Sequence, residues 1–136
     1  MGEVTNKSPT QKLYVAAARA IKGEASFDKF THIALDEGDM SGFTEATNSL
    51  ASECTKSGLS RVAATVTLYT TVISDDTVQA YHQFTAGEPA TISGFGVFAG
   101  TGGANMLMWG EFDSPQVLQT NDKLGCSGRC QFKLGS

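Results

Sequence analysis

Residues 61–72 (RVAATVTLYTTV) constrain the fold more than any other part of the chain. Two sets of side chains alternate along this segment: Val62, Ala64, Val66 and Leu68 on one face, and Thr65, Thr67, Tyr69 and Thr71 on the other. A period of two that is rich in β-branched residues is typical of a half-buried β-strand. Nothing equally clear in the chain marks a catalytic centre, so function has to be argued from architecture.

Length and charge narrow the class of protein. A chain of 136 residues forms one domain with a sizeable core. Ten Lys and Arg against fourteen Asp and Glu give a formal charge of −4, which argues against a nucleic acid or an anionic membrane as partner. Only 18% of the residues are charged, and such a surface suits a protein that packs against copies of itself or a partner. The polar N-terminus lacks the apolar core of a signal peptide, which predicts synthesis in the cytoplasm.

The N-terminal third is predicted to hold an arm and two helices. Residues 1–9 are polar and predict a flexible arm that ends at Pro9, so residues 10–136 form the single domain. Residues 10–22 (TQKLYVAAARAIK) carry apolar side chains at helical spacing, with Thr10 as N-cap and Gly23 as C-cap. A second short helix is predicted within residues 44–56.

The rest of the chain reads as strands separated by Gly-, Pro- and Asp-containing turns. The predicted strands are 31–35, 61–73, 77–85, 91–99, 105–112, 116–120 and 123–134. In 77–85 the residues Val78, Ala80, His82 and Phe84 share one face. The pattern predicts a mainly β fold: an antiparallel β-sandwich or jelly-roll-like domain with an N-terminal helix over one end and one further short helix. Phe95 or Phe98 should be buried, because the flanking glycines leave space for a ring.

Two further patterns carry little chemistry on their own. Residues 94–99 (GFGVFA) fit the G-x-G-x-x-G/A dinucleotide pattern, but the motif lies inside a predicted strand instead of between a strand and a helix, so no cofactor is predicted. His32 and His82 also lie within strands and are expected to be core residues instead of ligands. No nucleophile elbow and no carboxylate pair in a cleft is evident, so the chain is not expected to be an enzyme.

The acidic and cysteine residues leave alternatives open. Asp36, Glu37 and Asp39 crowd one turn without the spacing of a known calcium loop, so a solvated turn is favoured and cation binding stays open. Cys126 and Cys130 bracket a Ser-Gly-Arg segment and form a disulfide if their Cβ atoms come within about 4 Å, although two free thiols are also ordinary. Zinc would need two further ligands, and no metal site is predicted.

Six short motifs resemble a family of small virion proteins of tailed bacteriophages and head-tail archaeal viruses. They are HIAL at 32–35, SLASE at 49–53, RVAATVT at 61–67, ISGFGVF at 92–98, GTGGAN at 100–105 and MLMWGEF at 106–112. Two segments depart from that pattern: DEGD after the first strand, and CSGRC near the C-terminus.

The resemblance implies a virion structural protein, found in the virion after synthesis in the host cytoplasm. The leading expectation is a capsid decoration (cement) protein that binds the major capsid protein or other virion proteins, and the alternative is a tail or tail-fibre component. A homo-oligomer, most simply a trimer, is expected. A carbohydrate- or ligand-binding β-sandwich, which would use Trp109, Tyr81 and an acidic loop to stack and bind a sugar, is the alternative from another class.

Three residues are the expected interface anchors. Val4 is the one sizeable apolar residue of the arm, and Tyr81 and Trp109 are aromatic residues of the kind that dominate interface hot spots. Trp109 has an alternative place in the core of the second sheet.

Overall fold

The computed structural model describes residues 4–132, which form eight β-strands and one α-helix. The elements, in chain order, are β1 (Val4–Pro9), α1 (Gln11–Lys22), β2 (His32–Asp36), β3 (Val62–Ala63), β4 (Thr65–Tyr69), β5 (Thr77–Thr85), β6 (Ala90–Phe98), β7 (Met106–Leu118) and β8 (Lys123–Gln131). All strand pairs are antiparallel. One sheet has five strands in the order β1-β7-β6-β2-β3, and the other has three in the order β4-β5-β8. The predicted mainly β, sandwich-like fold is confirmed.

The main core lies between the two sheets. Phe95 of β6, Phe84 of β5 and Leu124 of β8 are each no more than 2% exposed and belong to one buried cluster. The sheets approach closely at Gly128, where an added Cβ would lie 2.7 Å from Val97 Cγ2. Glycine is therefore required at this position of β8 for the sheets to meet.

A second, smaller core covers the opposite face of the five-stranded sheet. Met40, Leu50, Phe98, Met106 and Trp109 pack together there, and all are at most 9% exposed. The segment between β2 and β3 folds over this face. Both faces of the five-stranded sheet are thus buried, which is why β2, β6 and β7 each contain an uninterrupted buried run. The sequence predicted that Phe95 or Phe98 is buried; both are, in different cores.

Residues 61–69 switch from one sheet to the other instead of forming one strand. Val62 and Ala63 pair with β2 in the five-stranded sheet, whereas Thr65–Tyr69 pairs with β5 in the three-stranded sheet. The amide of Ala64, at the corner, donates to Thr31 O. The predicted half-buried strand is therefore wrong in its second part, because β4 is exposed along its whole length.

The predicted flexible arm is also wrong for its described residues. Val4–Pro9 is strand β1, which pairs with β7 from Phe112 to Met108 and lies at the edge of the five-stranded sheet. Backbone hydrogen bonds to β7 hold this segment, so it does not need a large apolar surface of its own. Residues 1–3 lie outside the described range.

The first predicted helix is present and the second is not. Helix α1 ends at Gly23, which has φ 92° and satisfies the left-handed C-cap position. The Thr10 hydroxyl donates to Met106 O at 2.7 Å, which ties the start of the helix to β7. Residues 44–56 form turns and bends instead, because backbone groups of this segment pair with the end of β2: Cys54 N donates to Leu35 O, and Ser52 O accepts the amide of Glu37.

Candidate interaction surface

The four edges of the two sheets differ in how well they are protected against pairing with another strand. Strand β1 carries Lys7 and Pro9 and has a register shift between Val4 and Asn6. Strand β3 is only two residues long, and β8 carries Lys123 and Arg129. Charge, proline, irregular register and shortness are the usual protections of an edge strand. By contrast, the sequence of β4, TVTLY, has no charge and no proline, and its register against β5 is regular.

The open edge continues into the turn that follows it. Every residue from 65 to 75 is exposed. The exposed fractions are 40% for Val66, 61% for Leu68, 42% for Tyr69, 78% for Val72 and 48% for Ile73. We call residues 65–75 the β4 surface. These five side chains are among the eleven large hydrophobic residues that are exposed in the described part of the chain, so the surface is a concentration of apolar groups.

Asp76 fixes the shape of the turn within this surface. Its carboxylate accepts the amides of Thr71 at 2.9 Å and of Val72 and Ile73 at 3.1 Å each. It also accepts the Thr77 hydroxyl at 2.9 Å. Desolvation opposes ionisation of Asp76, but these donors together hold its pKa well below the usual range of a carboxyl group. The exposed Val72 and Ile73 therefore sit on a turn that is ordered by an ionised side chain.

Arg129 orders the outer face beside β4. Its guanidinium carbon lies 4.0 Å from the centre of the Tyr69 ring, and its Nε donates to Gln79 Oε1 at 2.7 Å. The stack links β8 to β4 across β5. Tyr69, at the end of the open edge, is consequently held in place.

On the inner face, the row of residues nearest to the turn is only partly covered. Leu68, Val78 and Cys130 are direct cross-strand neighbours in this row. In the next row Ala80 and Gly128 are buried against the five-stranded sheet, whereas Val66 at the β4 end of the row is partly exposed. Helix α1 covers the row nearest to the turn only in part, which leaves an apolar groove of about 200 Å³. The groove is lined by Leu13, Ala16, Ala17, Ala20, Phe27, Asp28, Lys29, Phe30, Val78, Cys130 and Phe132.

The expected interface anchors have three different outcomes. Tyr81 is 38% exposed and points away from the core, opposite Thr65 of β4. Trp109 is 2% exposed, donates from Nε1 to Thr44 O at 3.0 Å, and packs edge-on against Phe43. Trp109 is therefore wrong as an interface anchor, because the segment after β2 covers the face on which it lies. The backbone of Val4 lies in β1 opposite Phe112.

The cysteines do not form the disulfide that the sequence allowed. All three cysteines are free. Cys126 and Cys130 lie in the continuous strand β8, opposite His82 and Val78, so the segment between them is not a turn. Four residues of strand span about 13 Å, which is about twice the Cα separation that a disulfide permits. The burial of Cys126 raises its pKa to about 12.

The acidic turn after β2 is occupied by protein partners. Asp36 Oδ1 accepts the Ser52 amide at 2.7 Å, and burial raises the pKa of this carboxyl although several amides lower it. Glu37 pairs with Lys56 at 2.7 Å, and Asp39 accepts the Ser41 amide at 2.9 Å. Among residues 4–132 no group of three potential ligands could hold a metal ion. Asp36 thus anchors the covering segment to β2, and the other two carboxylates hold contacts within that segment.

The glycine motif and the histidines are structural as well. Gly94 and Gly96 lie in the middle of β6, where a Cβ on Gly94 would collide with Gly110 O and Met40 Sδ. Between this motif and residue 132 no helix follows, so a strand–turn–helix pyrophosphate site is not formed there. His82 packs edge-on against Phe84 at 4.7 Å, and His32 Nδ1 lies 2.9 Å from the Thr31 hydroxyl.

Sequence reasoning missed Val72 and Ile73, and it assigned Val66 and Leu68 to a buried face. One signal was available: residues 62–74 contain no charged side chain. In this uncharged run a partly buried stretch is followed by an exposed apolar stretch. The sequence pattern alone does not show where the first ends and the second begins. The boundary is the sheet switch at Ala64.

Comparisons with known proteins identify the family. Residues 31–128, from the residue before β2 to the middle of β8, match the family model described as "Podophage GP4 fiber I protein gp80". No curated protein and no solved structure has significant similarity to the chain. None of the helical residues in the described range form a segment that is long and apolar enough to cross a membrane. The match covers most of the chain and every strand except β1 and the end of β8, and the chain therefore belongs to the podophage GP4 fiber I protein gp80 family of phage virion structural proteins.

Proposed function

We propose that this chain is a structural subunit of a podophage tail fibre. The observation that carries the proposal is the family match over residues 31–128, which includes seven of the eight strands in whole or in large part. The family name favours a fibre component, the alternative expected from the sequence, over capsid decoration. The subunit acts through contacts with copies of itself and with other virion proteins.

The exposed features of the three-stranded sheet fit such a role. The β4 surface presents an unprotected edge and five exposed apolar side chains, which are the features of a surface that is covered on assembly. Buried and partly buried polar side chains stabilise the fold: Asp36 and Asp76 accept hydrogen bonds from backbone amides, and Arg61 forms an ion pair with Glu53. We assign the chain no catalytic step and no cofactor.

The carbohydrate-binding alternative loses its main support. It required Trp109 and Tyr81 as exposed aromatic residues on which a sugar could stack. Trp109 is 2% exposed and hydrogen-bonded within the second core, so the pair cannot form that platform.

Fractionation of purified particles tests the proposal. Virions are disrupted into capsids and tails, and the copy number of this chain relative to the major coat protein is measured in each fraction by mass spectrometry. A fibre subunit is expected with the tails, at a small fraction of the coat-protein copy number. Recovery with the capsids, at a copy number comparable to the coat protein, would instead identify a decoration protein.

A further inference from the structure

We infer that β4 is a homotypic docking strand, which pairs antiparallel with β4 of a second copy of this chain about a twofold axis through Thr67. The inference deepens the proposed fibre function, since it names a contact between copies, but it rests on the geometry of the isolated chain.

The first step is that the edge is free. Strand β4 pairs only with β5 among the described strands, and every residue from 65 to 75 is exposed, so no described part of the chain covers it. The other three edges carry lysine, arginine, proline, a register shift or extreme shortness. A regular, uncharged edge is a template for strand addition, and proteins keep such an edge when something pairs with it.

The second step is that the sequence TVTLY is complementary to itself. A register centred on Thr67 pairs all five residues of β4 with the second copy. It places Val66 opposite Leu68 of the second copy on the inner face. On the outer face it places Thr67 opposite itself and Thr65 opposite Tyr69. Thr–Thr and aromatic–β-branched pairs are favourable across antiparallel strands, and no like charges meet. A twofold contact requires this kind of self-complementarity.

The exposed apolar area suits a reversible contact. The exposed portions of Val66, Leu68, Tyr69, Val72 and Ile73 come to on the order of 500 Å² per copy, so two copies together offer at most about 1,000 Å², the lower limit for a specific interface. The ionised Asp76 and the Arg129 stack hold the turn and Tyr69 in place before association. Less ordering is then required on binding.

Sedimentation of the purified chain tests the pairing. The wild-type chain is expected to dimerise at micromolar concentrations. Thr67→Lys places two ammonium groups opposite each other and is expected to weaken dimerisation by at least about tenfold. Thr91→Lys is the matched control, since Thr91 is also an exposed strand threonine but lies in the interior strand β6. It is expected to leave dimerisation unchanged.

A charge-swap experiment separates the pairing from a general folding defect. Thr67→Glu is expected to be monomeric like Thr67→Lys, but an equimolar mixture of the two variants is expected to form heterodimers. Only a contact that sets residue 67 against itself gives this rescue.

Several results would overturn the inference: a monomeric wild-type chain, a Thr67→Lys variant that still dimerises, a mixture that stays monomeric, or a trimer. The sequence led us to expect a trimer, so the stoichiometry itself decides between the two arrangements. Recovery of the chain with the tails together with a monomeric wild type would refute this pairing and leave the fibre function standing.

Discussion

The two sheets of this protein differ in how much of their faces and edges is covered or protected. The five-stranded sheet is covered on both faces, by the other sheet and by the segment between β2 and β3, and its edges are short, charged or irregular. The three-stranded sheet is covered on one face only, the cover is incomplete near Val78, and its β4 edge is open. We therefore propose that the larger sheet supplies most of the stability and that the smaller sheet supplies the contacts between subunits.

The same residue type behaves differently in the two sheets, which makes the comparison testable. Arg61 is mostly buried, stacks on Phe98 at 3.7 Å, and is bonded to Glu53 through two nitrogens. Arg129 stacks on Tyr69 at 4.0 Å but is exposed. If stability is concentrated in the larger sheet, matched substitutions at such pairs should differ in their cost.

Truncation of Phe95 should have the largest effect. Phe95 is 2% exposed between the two sheets, so Phe95→Ala should lower the free energy of unfolding by about 3–5 kcal/mol through lost transfer energy and a cavity. Phe132→Ala is the control in the smaller sheet's margin, where the ring is 52% exposed, and should cost less than about 1 kcal/mol. Urea denaturation measures both. Equal costs would contradict the assignment of stability to the larger sheet.

Replacement of the two stacked arginines by lysine should give a smaller but clear contrast. Arg61→Lys keeps the charge but loses the two-nitrogen contact with Glu53 and the planar stack on Phe98. It should cost about 1–3 kcal/mol. Arg129→Lys should cost less than about 1 kcal/mol, because its contacts are exposed. A larger cost at Arg129 would show that the smaller sheet depends on its outer face.

The sequence predicted the sandwich and most of its strands, because alternation and turn residues are local signals. It predicted that Phe95 or Phe98 is buried, from the glycines that flank them, and both rings are buried. It did not predict what covers each face. Trp109 alternates like an outward residue, and only the fold of residues 40–50 across the sheet buries it. The helix expected within 44–56 is absent because the backbone of this segment pairs with the end of β2, a tertiary contact that the local pattern does not show.

The candidate surface was less predictable than the fold. Val66 and Leu68 have the alternation of a buried face, and their exposure follows from the sheet switch at Ala64 and from the limited extent of the covering sheet. Both depend on the tertiary structure and not on the local sequence. The arm was misread because β1 gains its order from pairing with β7, over 90 residues away along the chain, rather than from its own composition.

The turn of the β4 surface should respond to pH through Asp76. Because the folded-state pKa of Asp76 lies below its ordinary value of 3.8, its ionised form stabilises the fold above about pH 4, and this contribution is lost as the pH falls further. Asp76→Asn should therefore lower the melting temperature at pH 7, and the difference from wild type should shrink at pH 3.

Asp75→Asn is the control for this change of charge. It removes the same charge from the same turn, and asparagine accepts the positive φ of 59° at this position. Its melting temperature should stay close to that of wild type at both pH values. Asp36 has a raised pKa and gives the opposite slope, but it is present in all three proteins and cancels in the comparison. A pH-independent loss in Asp76→Asn would show that shape, not charge, holds the turn.

Alkylation of the cysteines should distinguish the interior of the sandwich from the margin of the smaller sheet without changing stability. Burial raises the pKa of Cys126 to about 12 and also raises the pKa of Cys130, but Cys130 lines the open groove and Lys7 partly opposes its shift. Since the thiolate is the reacting form, iodoacetamide should modify Cys130 first in the native protein, whereas Cys126 and Cys54 should react only after unfolding.

Reductant should leave the melting temperature unchanged, because the cysteines are free. Mass spectrometry of native and urea-unfolded samples gives the order of labelling. Equal rates at Cys126 and Cys130, or a peptide that joins them, would mean that β8 is not the continuous strand that separates their thiols.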